Sequence, residues 1–168
     1  MVAPASLINQ IVRVEEVTDA EFYVGDLFRR GFGGSPPDYP RHYVSLYRPA
    51  RSRLTVMGYV HYMTFEDMYL CGGLVIDERE YRKLPEPHRK LIKESGGIAE
   101  KLLRDTFARL AHAPAIWAYV GDRQSEKVCL RAGFRHCDHP HLMVVWNSDL
   151  SDGEKATRIE RAIAFGPF

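Results

Sequence analysis

Residues 8–15 (INQIVRVE) are rich in β-branched side chains and predict a strand. The period then changes. Ala20, Val24, Leu27 and Phe28 recur at helical spacing behind Thr18-Asp19-Ala20-Glu21, which fits a capping box and predicts a helix stopping near Gly31. Residues 31–40 (GFGGSPPDYP) are too dense in Gly and Pro for regular structure, and their aromatics suggest a flap. Three apolar runs follow at residues 42–47, 54–64 and 68–76, separated by turns at 49–53 and at Phe65-Glu66-Asp67. Strands joined so briefly predict an antiparallel meander. Gly72-Gly73 inside the third run predicts a bulge, or a place where another backbone comes close.

Residues 77–93 are polar and carry Pro85 and Pro87, with a short helix expected over 88–94. Ser95-Gly96-Gly97 is a turn, and residues 98–112 carry the clearest helical pattern in the chain. There Ala99, Leu102, Leu103, Thr106, Phe107 and Leu110 form the apolar face, with Lys101, Arg104, Asp105 and Arg109 outside. Residues 115–120 (AIWAYV) predict a strand, Asp122 caps a helix over 123–132, and residues 134–137 and 142–146 form a closing hairpin. Residues 148–168 are polar except for Ile159, Ala162, Ile163 and Phe165, and read as a tail with a helical turn or two behind a domain spanning 1–147. The order β-α-β-β-β-α-β-α-β-β predicts an α+β or mixed α/β fold.

Composition narrows the function. At 168 residues, 45% hydrophobic and 27% charged, the chain can bury a core without staples. A net charge of +1 gives no electrostatic case for binding nucleic acid. Three cysteines without CxxC spacing argue against a disulfide framework and for the cytoplasm. The start of the chain does not read as a signal peptide, and no apolar run is long enough to span a membrane. His136, Cys137, His139 and His141 invite a metal reading, since strand residues two apart share a face. Asp138 and Pro140 mark a hairpin turn with exposed imidazoles instead, and no metal is expected.

Gly96-Gly97 opening a strong helix would present free amides and the positive end of a dipole to an anion. No GxxxxGK[ST] or GxGxxG motif accompanies it, so nucleoside-triphosphate and dinucleotide loops are set aside. Glu94-Ser95-Gly96-Gly97-Ile98-Ala99, followed by a strand, Asp122, Ser125, Cys129 and Gly133-Phe134, resembles the GNAT superfamily of acyl-CoA-dependent N-acyltransferases over residues 8–146. Glu94 stands where that family has Gln or Arg, Asp122 where it has Asn, and Cys129 where it has Tyr.

The resemblance implies a mixed, mostly antiparallel sheet with flanking helices, splayed between the strand ending at Ile76 and the one ending at Val120. It implies acetyl-CoA as co-substrate, with pantetheine along Leu74, Val75 and Ile76. The pyrophosphate would lie on amides of Ser95, Gly96, Gly97, Ile98, Ala99 and Glu100, joined by Lys93, Lys90 or Arg89, with Asp122 and Ser125 nearby and Glu94 turned away. The reaction would move an acyl group to a primary amine of a small molecule or protein, and a homodimer is left open. Asp67 takes the place of the general base, with Glu66 and His61 as alternatives. Cys129 or Tyr119 would be the acid, and Phe32, Tyr39 and Tyr43 would border the acceptor. Because the usual Tyr is replaced, a non-catalytic acyl-CoA-binding or sensor module on the same fold stands as the alternative.

Overall fold

The computed structural model describes residues 7–49 and 53–168. The chain runs β1 (Val12–Val17), α1 (Ala20–Phe32), β2 (Arg41–Tyr47), β3 (Thr55–Phe65), β4 (Met68–Ile76), α2 (Glu78–Lys83), α3 (Glu86–Glu94), α4 (Ile98–Arg109), β5 (Ala115–Tyr119), α5 (Arg123–Ala132), β6 (Arg135–His136), β7 (Leu142–Trp146) and α6 (Asp152–Phe165). The strands form one sheet in the order β1-β2-β3-β4-β5-β7-β6. Every neighbouring pair is antiparallel except β4 and β5. This is the mixed, mostly antiparallel sheet with flanking helices that the sequence implies. The turn expected at 49–53 falls largely outside the described residues.

Alternation along the strands sends successive side chains to opposite faces. On one face Ala20, Val24, Leu27 and Phe28 of α1 bury against Val44, Leu46 and Tyr59. Beside them Ala162 of α6 is buried with Met68, Leu70, Trp117 and Val144. On the other face Leu102, Leu103 and Phe107 of α4 pack against Tyr43, Val60, Tyr62 and Cys71. The buried Tyr62 hydroxyl is satisfied by Thr106 at 2.6 Å, and Trp117 donates its indole N–H to Met68 Sδ at 3.1 Å.

Several elements differ from their sequence patterns for local reasons. The first strand begins at Val12, not at Ile8, because Gln10 and Ile11 donate to the Leu7 and Ile8 carbonyls in a helical turn that buries Ile8 and Ile11. The cap of α1 is Asp19, which accepts from the Phe22 amide at 2.9 Å, and Glu21 pairs with Arg29 instead of closing a box with Thr18. Residues 77–93 hold two helices. Asp77 caps the first by accepting from the Arg79 and Glu80 amides, and a Pro-Glu-Pro start opens the second. Lys101 is buried, its ammonium held by Asn9 and Asp105. Residues 148–168 form more than a turn or two: α6 has 14 residues, capped by a Ser151–Glu154 capping box.

The feature that shapes the molecule is the edge between β4 and β5. Their parallel pairing is confined to Tyr69–Ile116, Leu70–Trp117 and Cys71–Ala118. Beyond Cys71 the two strands part, as the resemblance implies. Just there β4 carries a bulge: Tyr59 faces Val75 and His61 faces Gly72, so Gly73 and Leu74 together oppose Val60. Gly73 makes this with φ of 63°, a left-handed conformation that costs glycine little.

Candidate functional site

Three hollows follow one another along the parted edge. The first, of about 580 Å³, lies where α3, α4 and α5 meet, and includes Ile76, Tyr81, Lys93, Gly97, Ala99 and Arg131 in its wall. The second, of about 220 Å³, is the cleft between the parted strands, bounded by Gly73, Leu74, Tyr119, Gly121, Asp122 and Ser125. The third, of about 270 Å³, opens under α1 and the flap, and shares Phe32, Gly72, Gly73 and Phe168 with the cleft. The cleft thus opens on the chamber, and β4 and α5 carry on from it to the hollow at α4, with Leu74 and Ser125 in the one wall and Ile76 and Gln124 in the other.

At that mouth Gly97 caps α4 with no side-chain hydrogen bond. The amides of Ile98, Ala99 and Glu100 belong to the first turn, where no intrahelical acceptor exists. These three residues line the hollow, with Lys93 beside them. The amides of Gly96 and Gly97 are committed elsewhere, to the carbonyls of Lys93 and Ile92 at 3.2 and 2.9 Å, and that of Ser95 to Leu91 and Ile92. The glycines therefore shape the turn, while the next three residues offer the donors. Glu94 borders the hollow and is not turned away. Lys90 lies 3.9 Å from Glu94, and Arg89 donates to the Arg82 carbonyl, so neither joins the wall.

The sequence points to Glu100 only for its amide and gives no signal for its carboxylate. Its carboxylate is 2.8 Å from Arg104 and 3.0 Å from Arg131, and a side chain on Gly96 would collide with it. The charges bordering the hollow are Lys93 and Arg131 against Glu78, Glu94 and Glu100. Attraction for an anion there rests on the helix amides more than on side-chain charge.

In the cleft, Asp122 caps α5 by accepting from the Gln124 and Ser125 amides at 2.9 and 2.8 Å. Hydrogen bonds from Ser125 and then from the Gln124 amide hold its carboxyl below the usual range. Leu74, Val75 and Ile76 run along β4 past its last pairing with β5. Tyr119, at the end of β5, borders the cleft between His141 and Phe168. Cys129 is buried one layer behind, 4% exposed, and burial pushes its thiol up to about 11, helped by the charge of Asp122.

The chamber is apolar, with Phe28, Tyr39, Met63, Leu70 and Phe168 in its wall, and His61 among them. His61 Nδ1 is buried without a hydrogen-bond partner. Burial, and then the neighbouring His42, pushes its imidazole down to about 4. Tyr43, by contrast, lies on the α4 face, away from this chamber.

Asp67 sits elsewhere. It occupies the β3–β4 turn, four residues of strand before Cys71, roughly 13 Å at ~3.3 Å per residue. Its carboxylate is 2.6 Å from Arg158 of α6, and Glu66 beside it pairs with Arg161. The structure thus gathers Leu74, Ile76, Lys93, Gly96, Gly97, Ile98, Ala99, Tyr119, Asp122 and Ser125 around the parted edge, and leaves Asp67 and Cys129 outside the walls of the three hollows. Phe168 and Arg131, which do border them, carry no local signal, because each arrives from a distant part of the chain. Among the described residues no group of three or more His, Cys, Asp or Glu could hold a metal, and no helix is long and apolar enough to cross a membrane.

No family model matches the chain, and no curated protein matches it. Among solved structures, Tetrahymena GCN5 superposes with a TM-score of 0.52 at 10% identity, over 83% of this chain and 99% of that one. Apo FdhC, described as a nucleotide-linked sugar GNAT, gives 0.49 at 13% identity, over 91% of this chain and 94% of that one. At such identities a likeness speaks of architecture, and the architecture is the GNAT fold.

Proposed function

We propose that the chain is an acyl-CoA-dependent N-acyltransferase, which moves an acetyl group from acetyl-CoA to a primary amine. One observation carries the reading: a bulged, half-unpaired strand edge leads from uncapped helix amides on one face to an apolar chamber on the other. Such an edge suits a ligand whose own amides add to a strand, with pantetheine along Leu74, Val75 and Ile76. The amides of Ile98, Ala99 and Glu100, with Lys93, would take the pyrophosphate. The thioester would then stand beside Gly72 and Gly73. A neutral amine attacks its carbonyl carbon, the oxyanion draws on a backbone amide of β4, and Tyr119 offers a hydrogen bond to the leaving sulfur.

Asp67, weighed as a base, is engaged by Arg158, and Cys129 fits the role of a packing residue. Their positions also favour a second reading, a module that binds acyl-CoA on the same edge without turnover. Titration calorimetry with acetyl-CoA, paired with a free-thiol assay over a panel of amines, separates the two: binding with thiol release supports the enzyme, and binding alone the module. Ala99→Asp puts a like charge on the proposed phosphate amides and should weaken acetyl-CoA binding about tenfold or more, ~1.4 kcal/mol. Unchanged affinity in a folded Ala99→Asp protein would remove the site. Within the enzyme reading, Tyr119→Phe should slow turnover by about tenfold or more, while Cys129→Ala should leave it nearly intact.

A further inference from the structure

We infer that the chamber beside the bulge takes a compact primary monoamine with an aromatic body, and that His61 is the group that accepts its proton. This rests on the acyltransferase reading and names the acceptor for the same site.

The wall of the chamber sets what it can hold. A volume of about 270 Å³ is lined by Phe28, Phe32, Tyr39, Met63, Leu70 and Phe168, and none of the described residues that border it is Asp or Glu. A second ammonium group on a polyamine would lose its water there and find no carboxylate, which is strongly unfavourable. An aromatic body instead buries apolar surface and meets ring edges. The chamber is small beside the usual ~300–1,000 Å³ of ligand pockets, which sets the compact size.

His61 is, among the described residues, the one with a titratable imidazole in that wall. Its side chain borders the chamber, it is 7% exposed, and its Nδ1 has no partner. A buried polar atom left unsatisfied is costly and calls for a reason. The groups around the ring are the aromatic rings of Tyr39 from the flap at 4.8 Å, Tyr59 of β3 at 5.7 Å and Phe28 of α1 at 6.2 Å. His42 of β2 is its cross-strand neighbour, and hydrogen-bonds the Tyr59 hydroxyl at 2.7 Å. Gly72 and Gly73 of β4 close the remaining side. No Asp, Glu, Lys or Arg is among these groups. The imidazole is therefore neutral near pH 7; burial weakens it as a base, so it takes the proton from the cationic nitrogen of the tetrahedral adduct, beside the oxyanion, and not from the free amine.

The amine nitrogen forms a C–N bond with the thioester carbonyl carbon, and the carbonyl π pair moves to oxygen. One N–H proton passes to the imidazole of His61. The carbonyl re-forms, the C–S bond breaks, and the departing thiolate takes the proton from the imidazolium. The products are the amide and the free CoA thiol, and His61 ends neutral.

The test uses the full chain with acetyl-CoA and three acceptors at equal concentration: phenethylamine, spermidine and a lysine-containing peptide. The expected result is a kcat/KM for phenethylamine about tenfold or more above the other two. Met63→Trp should fill the chamber and raise the KM for phenethylamine about tenfold, with acetyl-CoA affinity unchanged. His61→Gln should lower kcat by about 10²–10⁴-fold at unchanged acetyl-CoA affinity, which also reports that the variant is folded. Preference for spermidine or the peptide, or wild-type kcat in His61→Gln, overturns the inference and leaves the acyltransferase reading standing. Acetyl-CoA binding without thiol release from any of the three overturns it too. Failure to bind acetyl-CoA overturns the acyltransferase reading itself.

Discussion

The imidazole of His61 fills the space that a side chain on Gly73 would need: a β-carbon there would stand 2.5 Å from Nδ1. Gly72 makes a similar allowance, with its notional β-carbon 2.9 Å from Nε2. The Gly-Gly pair thus serves two ends. It lets β4 bulge where β4 and β5 part, and it lets one ring lie against the strand at that point. Gly73→Ala should destabilise the fold by about 2–4 kcal/mol, part from the left-handed backbone and part from the clash. Urea unfolding of Gly73→Ala, His61→Ala and the double variant checks this. The double variant should recover the clash and keep the backbone strain; simple additivity would mean that the two residues do not share this space.

Acid stability should report the same ring. His61 titrates at about 4 in the fold against an ordinary 6.5. Between those values the unfolded chain binds a proton that the folded chain refuses. The stabilisation is therefore complete above about pH 6.5 and is lost as pH falls toward 4, by about 3 kcal/mol. His42 is lowered too, chiefly by burial, and adds in the same direction. Unfolding free energies at pH 7 and pH 4.5 should differ less in His61→Phe than in the wild type. An equal difference in both would mean that His61 is not held neutral.

At the mouth of α4, Glu100 places a carboxylate at the positive end of the helix, beside the amides proposed for phosphate. Arg104 and Arg131 partly offset it. Glu100→Gln removes the charge while keeping the shape, and frees Arg131 toward the hollow. Acetyl-CoA should then bind several-fold tighter, about 1 kcal/mol by the usual scale of charges near helix ends. Calorimetry at low and moderate salt checks both the gain and its expected decline with screening.

Much of this architecture was legible in the sequence. The meander showed itself in three dense β-branched and aromatic runs, and Gly72-Gly73 announced the bulge because few other residues tolerate it. Asp122 read as a cap because the side chain that satisfies the helix start is local in sequence. Polar helix was the less legible part. α2 has no apolar pattern, the helix expected over 88–94 begins at Glu86, and α6 runs longer than the turn or two its pattern suggests. The buried residues there are few: none in α2, Ile92 in α3 and Ala162 in α6. The capping box at Ser151 and Glu154 was the available signal for α6. The chamber was half legible. Phe32, Tyr39 and His61 could be singled out, but the meeting of Leu70, Met63 and Phe168 around them depends on how α6 docks. Asp67 was favoured by alignment with a strand start, and only the placement of α6 supplies its partner, Arg158.

That partner gives the last test. Asp67 and Glu66 each meet an arginine of α6, Arg158 and Arg161, and together fasten the helix over the β3–β4 turn. Both carboxylates are about half exposed, so each pair should contribute no more than about 1 kcal/mol. Asp67→Asn should therefore lower stability by less than about 1 kcal/mol, with the loss shrinking in high salt. Arg158→Gln should do the same, and the double variant should cost little beyond either alone, because both singles break one pair. If His61 takes the proton, kcat in Asp67→Asn stays close to wild type across the pH range in which the amine loses its own proton. A fall of about 10²-fold that recovers as pH rises would return the base to Asp67, and a fall shared equally by Arg158→Gln would trace it to the docking of α6.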